Sequence, residues 1–186
     1  MEIKTLKVGY LGTNCYIVTD GATDEAAAID PGGNAEKIIA YLEKEKKVCT
    51  AVLLTHGHFD HILAVKALQE RGAKVYIHIL DAAMLTSGES LARNVGLDMS
   101  PIIPDVLTVV GDEIKVGENT FKVLHTAGHT KGSCCFVSGG AIFSGDTMFL
   151  EDYGRTDLPC GSMADLVASM RKLFALEGDY QVYPGH

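Results

Sequence analysis

The segment Thr55-His56-Gly57-His58-Phe59-Asp60-His61 holds three of the seven histidines of the chain within six positions. Imidazole and carboxylate groups are the usual protein ligands of Zn²⁺ and related cations. In an extended stretch residues two apart point the same way, so His56 and His58 can hold one ion together. His61, next to Asp60, must point elsewhere. We therefore predict that this segment serves two metal ions rather than one.

Three further donors follow apolar segments elsewhere in the chain. His129 lies between Gly128 and Gly132, which permit a tight loop; Asp146 follows Gly145, and His186 follows Pro184-Gly185. Taken singly, each fits an ordinary hydrogen-bonded loop residue. Together with the histidine segment they complete two sites of three protein ligands each, with Asp146 able to bridge the two cations. Such sites keep positions open for water, which is typical of a catalytic metal centre.

Apolar patterning places strands in two batches, each followed by helices with one apolar face. The strands predicted are Ile3–Val8, Asn14–Thr19, Ala26–Asp30, Cys49–Leu54, Lys74–Ile77, Val106–Val110, Glu113–Val116, Phe121–Thr126, Ser133–Ser138, Ala141–Ser144 and Tyr180–Tyr183. Gly139-Gly140 predicts a hairpin between two of them. Two batches of strands predict two packed sheets with helices outside, an α/β fold.

Helix signals are fewer. Asn34 is predicted to cap a helix that runs to about Lys47, and a second helix is predicted over about Ile62–Arg71. Ser162, with an acidic residue three positions later, predicts the cap of the last helix. Residues 87–104 are predicted to form an irregular excursion.

Composition limits the functional class. A chain of 186 residues, 47% hydrophobic and 22% charged, predicts one domain over residues 1–186. Sixteen basic against 24 acidic residues give a net charge of −8 and no basic patch, so nucleic acid is not expected as a partner. The apolar runs are far too short for a membrane span. The five cysteines indicate reduced thiols and a cytoplasmic location.

Six motifs together resemble the metallo-β-lactamase-fold hydrolases, and in particular the short bacterial glyoxalase-II-like proteins. They are Asp30-Pro31-Gly32-Gly33, the THxHxDH segment at 55–61, HTxGHTxGS at 125–133, Gly145-Asp146-Thr147, Gly154-Arg155-Thr156-Asp157-Leu158-Pro159 and Pro184-Gly185-His186. The resemblance implies a four-layer αββα sandwich of two mixed β-sheets with helices on the outer faces. Ala127 departs from the proline common in the family, and Cys160 stands where glycine is frequent.

The same resemblance implies a ligand set. The first ion would be held by His56, His58 and His129, the second by Asp60, His61 and His186, with Asp146 bridging them. Asp30 would orient the histidine loop. The N/O donors suit zinc best, with iron or manganese also possible. Because members of this family normally continue for a short tail, we expect the natural chain to extend past His186.

The function predicted is hydrolysis of a small anionic thioester of the S-2-hydroxyacylglutathione type. Two divalent cations would supply hydroxide at neutral pH, and Asp60 or Asp146 would take up the proton. Glyoxalase II holds glutathione with an added helical domain; we do not expect that domain here, so glutathione recognition does not follow from the resemblance. An alternative is a persulfide dioxygenase with a single iron. Other ester, lactone or phosphodiester substrates are further alternatives on this fold.

Overall fold

The computed structural model describes residues 1–87 and 89–186 and contains a first sheet of six strands. The strands lie side by side in chain order: β1 (Glu2–Val8), β2 (Thr13–Thr19), β3 (Glu25–Ile29), β4 (Val48–Leu54), β5 (Lys74–His78) and β6 (Val106–Thr108). The first three are antiparallel, and β3 to β6 are parallel. The sheet is therefore mixed, because hairpins join its first strands and crossovers join the rest.

The second sheet has five strands. They are β7 (Glu113–Val116), β8 (Asn119–His125), β9 (Cys134–Ser138), β10 (Ala141–Gly145) and β11 (Gln181–Pro184), in the spatial order β11-β10-β9-β8-β7. The predicted hairpin at Gly139-Gly140 is confirmed: both glycines have positive φ and join antiparallel β9 and β10. β11 returns parallel to β10 after a long crossover, so this sheet is also mixed.

Three apolar layers hold the sheets and helices together. The faces of the two sheets meet over a core that includes Ile29, Leu53, Phe121 and Phe143. The five helices are α1 (Ala35–Lys44), α2 (Phe59–Ile62), α3 (Val65–Gln69), α4 (Ala82–Thr86) and α5 (Met163–Phe174). Helices α1 and α3 cover the outer face of the first sheet, and α5 covers the second. This is the four-layer αββα sandwich predicted from the sequence.

Two details of the helices differ from the sequence predictions. Asn34 does not cap α1 with its side chain; its Oδ1 accepts a hydrogen bond from Gly9 N at 2.9 Å instead, and α1 ends at Lys44. The single helix predicted over 62–71 is two short ones, because α2 begins at Phe59 inside the predicted loop. Ser162 caps α5 as predicted, accepting from Asp165 N at 3.3 Å.

The excursion predicted over residues 87–104 is confirmed where it is described, and its one regular piece is a 3₁₀ turn at Ala92–Val95. Residue 88 lies outside the described residues. Among the described residues, no helix is long and apolar enough to cross a membrane.

Strand direction explains where the candidate ligands collect. β3 and β4 are parallel, so Asp30 and the histidine segment both emerge at the carboxyl edge of the first sheet. In the second sheet β8, β10 and β11 all run the same way, because β9 is antiparallel to both its neighbours. The loops after these three strands carry His129, Asp146 and His186. The backbone N–H of Cys134 donates to Thr55 O at 2.9 Å and joins the two edges.

Candidate metal centre

The first group of donors consists of His56, His58 and His129. Their ligand atoms lie within 4.8 Å of one another, and all three residues are buried. His58 Nδ1 is 2.9 Å from His129 Nε2. The His56 ring stands edge-on to each of the other two, with centroids 4.8 Å apart. Three imidazoles therefore converge on one point, as the sequence predicted for the first ion.

The second group consists of Asp60, His61 and His186. His61 Nε2 is 3.5 Å, and His186 Nε2 3.2 Å, from Asp60 Oδ2. Asp60 and His61 sit on α2; Asp60 faces His186, whereas the His61 ring stays beside His56, with centroids 4.2 Å apart. The short helix thus places Asp60 in a second group with His186, while His61 lies between the two groups, since it also forms a donor group with His56 and Asp146.

Asp146 lies between the two groups. Its Oδ1 is 3.4 Å from His61 Nε2, and its Oδ2 is 3.5 Å from His129 Nε2 and 3.7 Å from His186 Nε2. One carboxylate oxygen faces a histidine of the second group, and the other faces both groups. The seven predicted ligands are thus brought together in the arrangement the sequence suggested.

Four buried polar atoms of this cluster fit a bound cation. His56 Nε2, His58 Nε2, His61 Nε2 and Asp146 Oδ1 have no hydrogen-bond partner among residues 1–87 and 89–186. Leaving such atoms unpaired costs about 1–3 kcal/mol each, so structures normally satisfy them. A divalent ion would satisfy several at once, and the donor set is one that zinc, iron and manganese accept.

Charge differs between the two halves of the cluster. Burial and the neighbouring imidazoles lower the pKa of His56, and the same causes lower the pKa of His58 to about 3. Burial opposes charge on His61, but the carboxylates of Asp146 and Asp30 outweigh it and raise its pKa. His56 and His58 are therefore neutral imidazoles, the form that binds metal, and the carboxylates around His61 supply negative charge that can offset that of a cation.

The ligands are held by contacts on their far sides. His129 Nδ1 donates to Arg155 O at 2.7 Å, which turns its Nε2 toward the cluster. His61 Nδ1 is 3.1 Å from Asp30 Oδ2. Asp30 itself accepts from Thr55 N at 2.8 Å and Thr55 Oγ1 at 2.7 Å. Asp30 therefore orients the histidine loop as predicted, in the manner usual for metal-bound histidines.

Asp81 also supports the cluster, and the sequence reasoning missed it. Its buried carboxylate accepts from Gly57 N at 3.3 Å, Thr130 Oγ1 at 2.6 Å and Gly132 N at 2.7 Å. These partners belong to the loops that carry His58 and His129. Nothing in the local sequence signals this role, because a lone aspartate after a strand belongs to no motif.

His186 is held through the two residues before it. Pro184 O accepts from Tyr16 Oη at 2.6 Å and from Asn14 Nδ2 at 3.1 Å. Gly185 O accepts from Asn14 N at 2.8 Å, and Gly185 N donates to Gly145 O at 2.9 Å. Burial raises the pKa of Tyr16 and keeps its hydroxyl a donor. Strand β2 thereby fixes the backbone that presents His186.

The Tyr16→Phe variant is expected to lose the second ion more readily than the first. It removes one hydrogen bond to Pro184, worth about 1 kcal/mol, from the support of His186 alone. Chelator titration should release the second ion at a several-fold lower chelator concentration than in the wild type. Tyr183→Phe is the control, since Tyr183 packs edge-on against Tyr16 at 5.4 Å. Equal behaviour of the two variants would contradict this role.

The histidines outside the cluster form a separate pair. His78 and His125 stack with ring centroids 4.3 Å apart and planes inclined by 6°. His125 Nε2 donates a hydrogen bond to Lys131 O at 2.8 Å. Burial, together with the neighbouring His125, lowers the pKa of His78 to about 4.

The pair makes a prediction for acid stability. Because the folded pKa of His78 lies below its unfolded value near 6.5, folding stability is lost as pH falls from about 6.5 to about 4. His78→Gln should reduce that loss by roughly 2 kcal/mol. Urea unfolding at pH 7.5 and pH 4.5 measures the difference. An equal loss in variant and wild type would contradict the prediction.

A cavity of about 480 Å³ opens from the cluster to the surface. Asp60, Asp146, His58, His129 and His186 line its polar part. Phe149 and Tyr153 also line it. Arg155 and Asp157 form an ion pair, with Arg155 Nε 2.7 Å from Asp157 Oδ1. Cys160, in the same loop, has φ 71°, a conformation that favours glycine.

The structure is an αββα sandwich with a cluster of histidine and aspartate side chains that could hold metal ions. A family model described as the Metallo-beta-lactamase superfamily matches residues 8–186. The chain belongs to this superfamily, whose members are mostly hydrolases.

Relatives and solved structures agree with that membership. An uncharacterized protein of Aquifex aeolicus is 38% identical, covering 100% of this chain and 90% of the relative. Hydroxyacylglutathione hydrolase GloC of Haemophilus influenzae is 33% identical, covering 100% and 91%.

Three solved structures share the fold over nearly the whole chain. The BLEG-1 B3 metallo-beta-lactamase has a TM-score of 0.92 at 34% identity, with 100% of this chain and 91% of that chain covered. TTHA1623, in a di-iron-bound form, has a TM-score of 0.88 at 36% identity, with 98% and 91% covered. ETHE1 from Myxococcus xanthus has a TM-score of 0.84 at 32% identity, with 100% and 76% covered.

Proposed function

We propose that this protein is a binuclear metal-dependent hydrolase of thioesters of the S-2-hydroxyacylglutathione type. The observation that carries the proposal is the pair of three-residue donor groups joined by Asp146, with unpaired buried donor atoms in both. Similarity to the hydroxyacylglutathione hydrolase GloC supports the substrate, and similarity to the di-iron form of TTHA1623 supports two ions.

Two sets of residues would hold the two ions. His56, His58 and His129 would hold one ion, Asp60, His61 and His186 the other, and Asp146 would bridge both. When bound, such cations lower the pKa of water toward neutrality and polarise a carbonyl group. We favour zinc, with iron or manganese as alternatives that the same donors accept.

The carboxylates of Asp60 and Asp146 are the groups that can accept the proton of the attacking water. Both line the cavity, and the neighbouring histidines outweigh the effect of burial and lower the pKa of each, that of Asp146 to about 2. At neutral pH either is unprotonated and can accept a proton from the attacking water. The water oxygen bonds to the acyl carbon, the carbon–sulfur bond breaks, and sulfur leaves as a thiolate that needs no strong acid.

Metal analysis with two parallel assays tests the proposal. Protein loaded with zinc, iron or manganese should hold close to two ions per chain and should release thiol from S-D-lactoylglutathione. Oxygen consumption with glutathione persulfide should stay at background. One iron per chain together with oxygen consumption would instead support the persulfide dioxygenase alternative.

A further inference from the structure

Apart from the candidate metal ligands, the wall of the cavity is mostly apolar. Its apolar side chains are Leu11, Phe59, Leu91, Val95, Phe149, Tyr153 and Leu158, and its polar ones are Asn94 and Arg155. Leu11 is 60% exposed and Val95 is 55% exposed, so this apolar surface is open to solvent. Exposed apolar side chains grouped around a few polar atoms are typical of a ligand surface. We therefore expect the part of a bound substrate that extends outward from the donor cluster to contact apolar side chains.

The charges of the side chains that line the cavity also favour a ligand without carboxylates. Among the described residues that line the cavity, Arg155 is the one cationic side chain besides the histidines. Its Nε and Nη2 each donate to a carboxylate oxygen of Asp157 at 2.7 Å. The guanidinium is thus neutralised by a bidentate partner, in a protein with a net charge of −8. A carboxylate arriving at this wall finds no free cation there.

We propose that the thiol part of the substrate is uncharged and apolar, so that thioesters without carboxylates on the thiol are preferred over those of glutathione. The inference rests on the proposed hydrolysis of 2-hydroxyacyl thioesters and keeps their acyl part, but it replaces glutathione by an apolar thiol as the preferred thiol part. The sequence analysis predicted an anionic thioester. In the present proposal the thiol part of the substrate is uncharged. The negative charge that bound cations would attract is that of the reacting carbonyl oxygen and of the carboxylate product.

A matched pair of substrates tests the preference. N-acetyl-S-D-lactoylglutathione and its diethyl ester share the acyl group and the sulfur and differ in the two carboxylates of the thiol; acetylation of the amine leaves the diester uncharged. We expect kcat/KM to be at least tenfold higher for the diester. Equal values, or a preference for the free acid, would overturn the inference while leaving the thioesterase proposal intact. If the metal-loaded protein hydrolyses neither, the proposed function fails and the inference fails with it.

Removing the ion-pair partner of Arg155 should weaken the preference for the substrate without carboxylates on the thiol. Asp157→Asn removes the bidentate partner, so the free guanidinium can receive a carboxylate. We expect the ratio of kcat/KM for diester to free acid to fall several-fold. Asp179→Asn makes the same change of charge at an exposed position outside the cavity lining and should leave the ratio within twofold of wild type. An unchanged ratio in Asp157→Asn would contradict the role assigned to the ion pair.

The binding of analogues that cannot be hydrolysed tests the contribution of the apolar wall separately from catalysis. N-acetyl-S-(2-hydroxypropyl)glutathione and its uncharged diethyl ester contain a thioether that cannot be hydrolysed. Calorimetric titration should give tighter binding for the diester, and Leu11→Ser should weaken that binding several-fold, since Leu11 offers open apolar surface. Tighter binding of the free acid would overturn the inference independently of any activity.

Discussion

Alanine at position 146 is expected to lower kcat/KM for thioester hydrolysis by at least a hundredfold and to loosen both metal ions. Asp146 is the side chain placed between the two donor groups, with oxygens 3.4 Å from His61 Nε2 and 3.5 Å from His129 Nε2. Its removal takes a ligand from each ion and a proton acceptor from the reaction. Losses of 10²–10⁴-fold are on the order expected for such a group.

The fold should survive this change, because Asp146 follows the end of β10 and the core between the sheets does not contain it. Elemental analysis, circular dichroism and steady-state kinetics on one preparation separate the effects. His78→Ala is the matched control, since His78 lies at the end of another strand outside the cluster, and its activity should stay within a few-fold of wild type. Equal loss in both variants would show that the site is misplaced.

Much of this centre was predictable because its residues carry local signals. The spacing of His56, His58 and His61 within one loop is readable without any structure. Asp146 and His186 each follow an apolar segment, and parallel strands bring such positions to a common edge. The two-sheet architecture follows from the same apolar alternation, and the left-handed conformation of Gly139-Gly140 follows from their lack of a side chain.

The supporting residues could not be predicted, because their partners are distant in the chain. Asp81 bonds to residues 24 to 51 positions away, and Tyr16 reaches Pro184 across 168 positions. Asn34 shows the same limit: local pattern predicted a cap, but Gly9, 25 residues earlier, takes its side chain. The boundary of α2 was missed because a metal-ligand segment contains no helix period to reveal it.

Removing the carboxylate of Asp81 should lower the free energy of unfolding, and the first ion should then be released before the second. Asp81→Ala leaves Gly57 N, Thr130 Oγ1 and Gly132 N without their acceptor in a buried place. Lost acceptors of this kind cost about 2–4 kcal/mol in total once water partly replaces them. The loops affected carry His58 and His129, which belong to the first group, whereas β2 holds His186 independently.

Asp81→Asn should fall between the wild type and the alanine variant. Its amide nitrogen can face Thr130, whose hydroxyl can turn and donate to Ser133 Oγ at 2.7 Å, so that chiefly the bond from Gly57 N is lost. Urea unfolding and stepwise chelation measure the two effects, with the exposed Asp98→Asn as control for the charge change. Tyr16→Phe should show the opposite order of release, the second ion first. If Asp81→Ala instead lost both ions together, the carboxylate would stabilise the fold without positioning the first group of histidines.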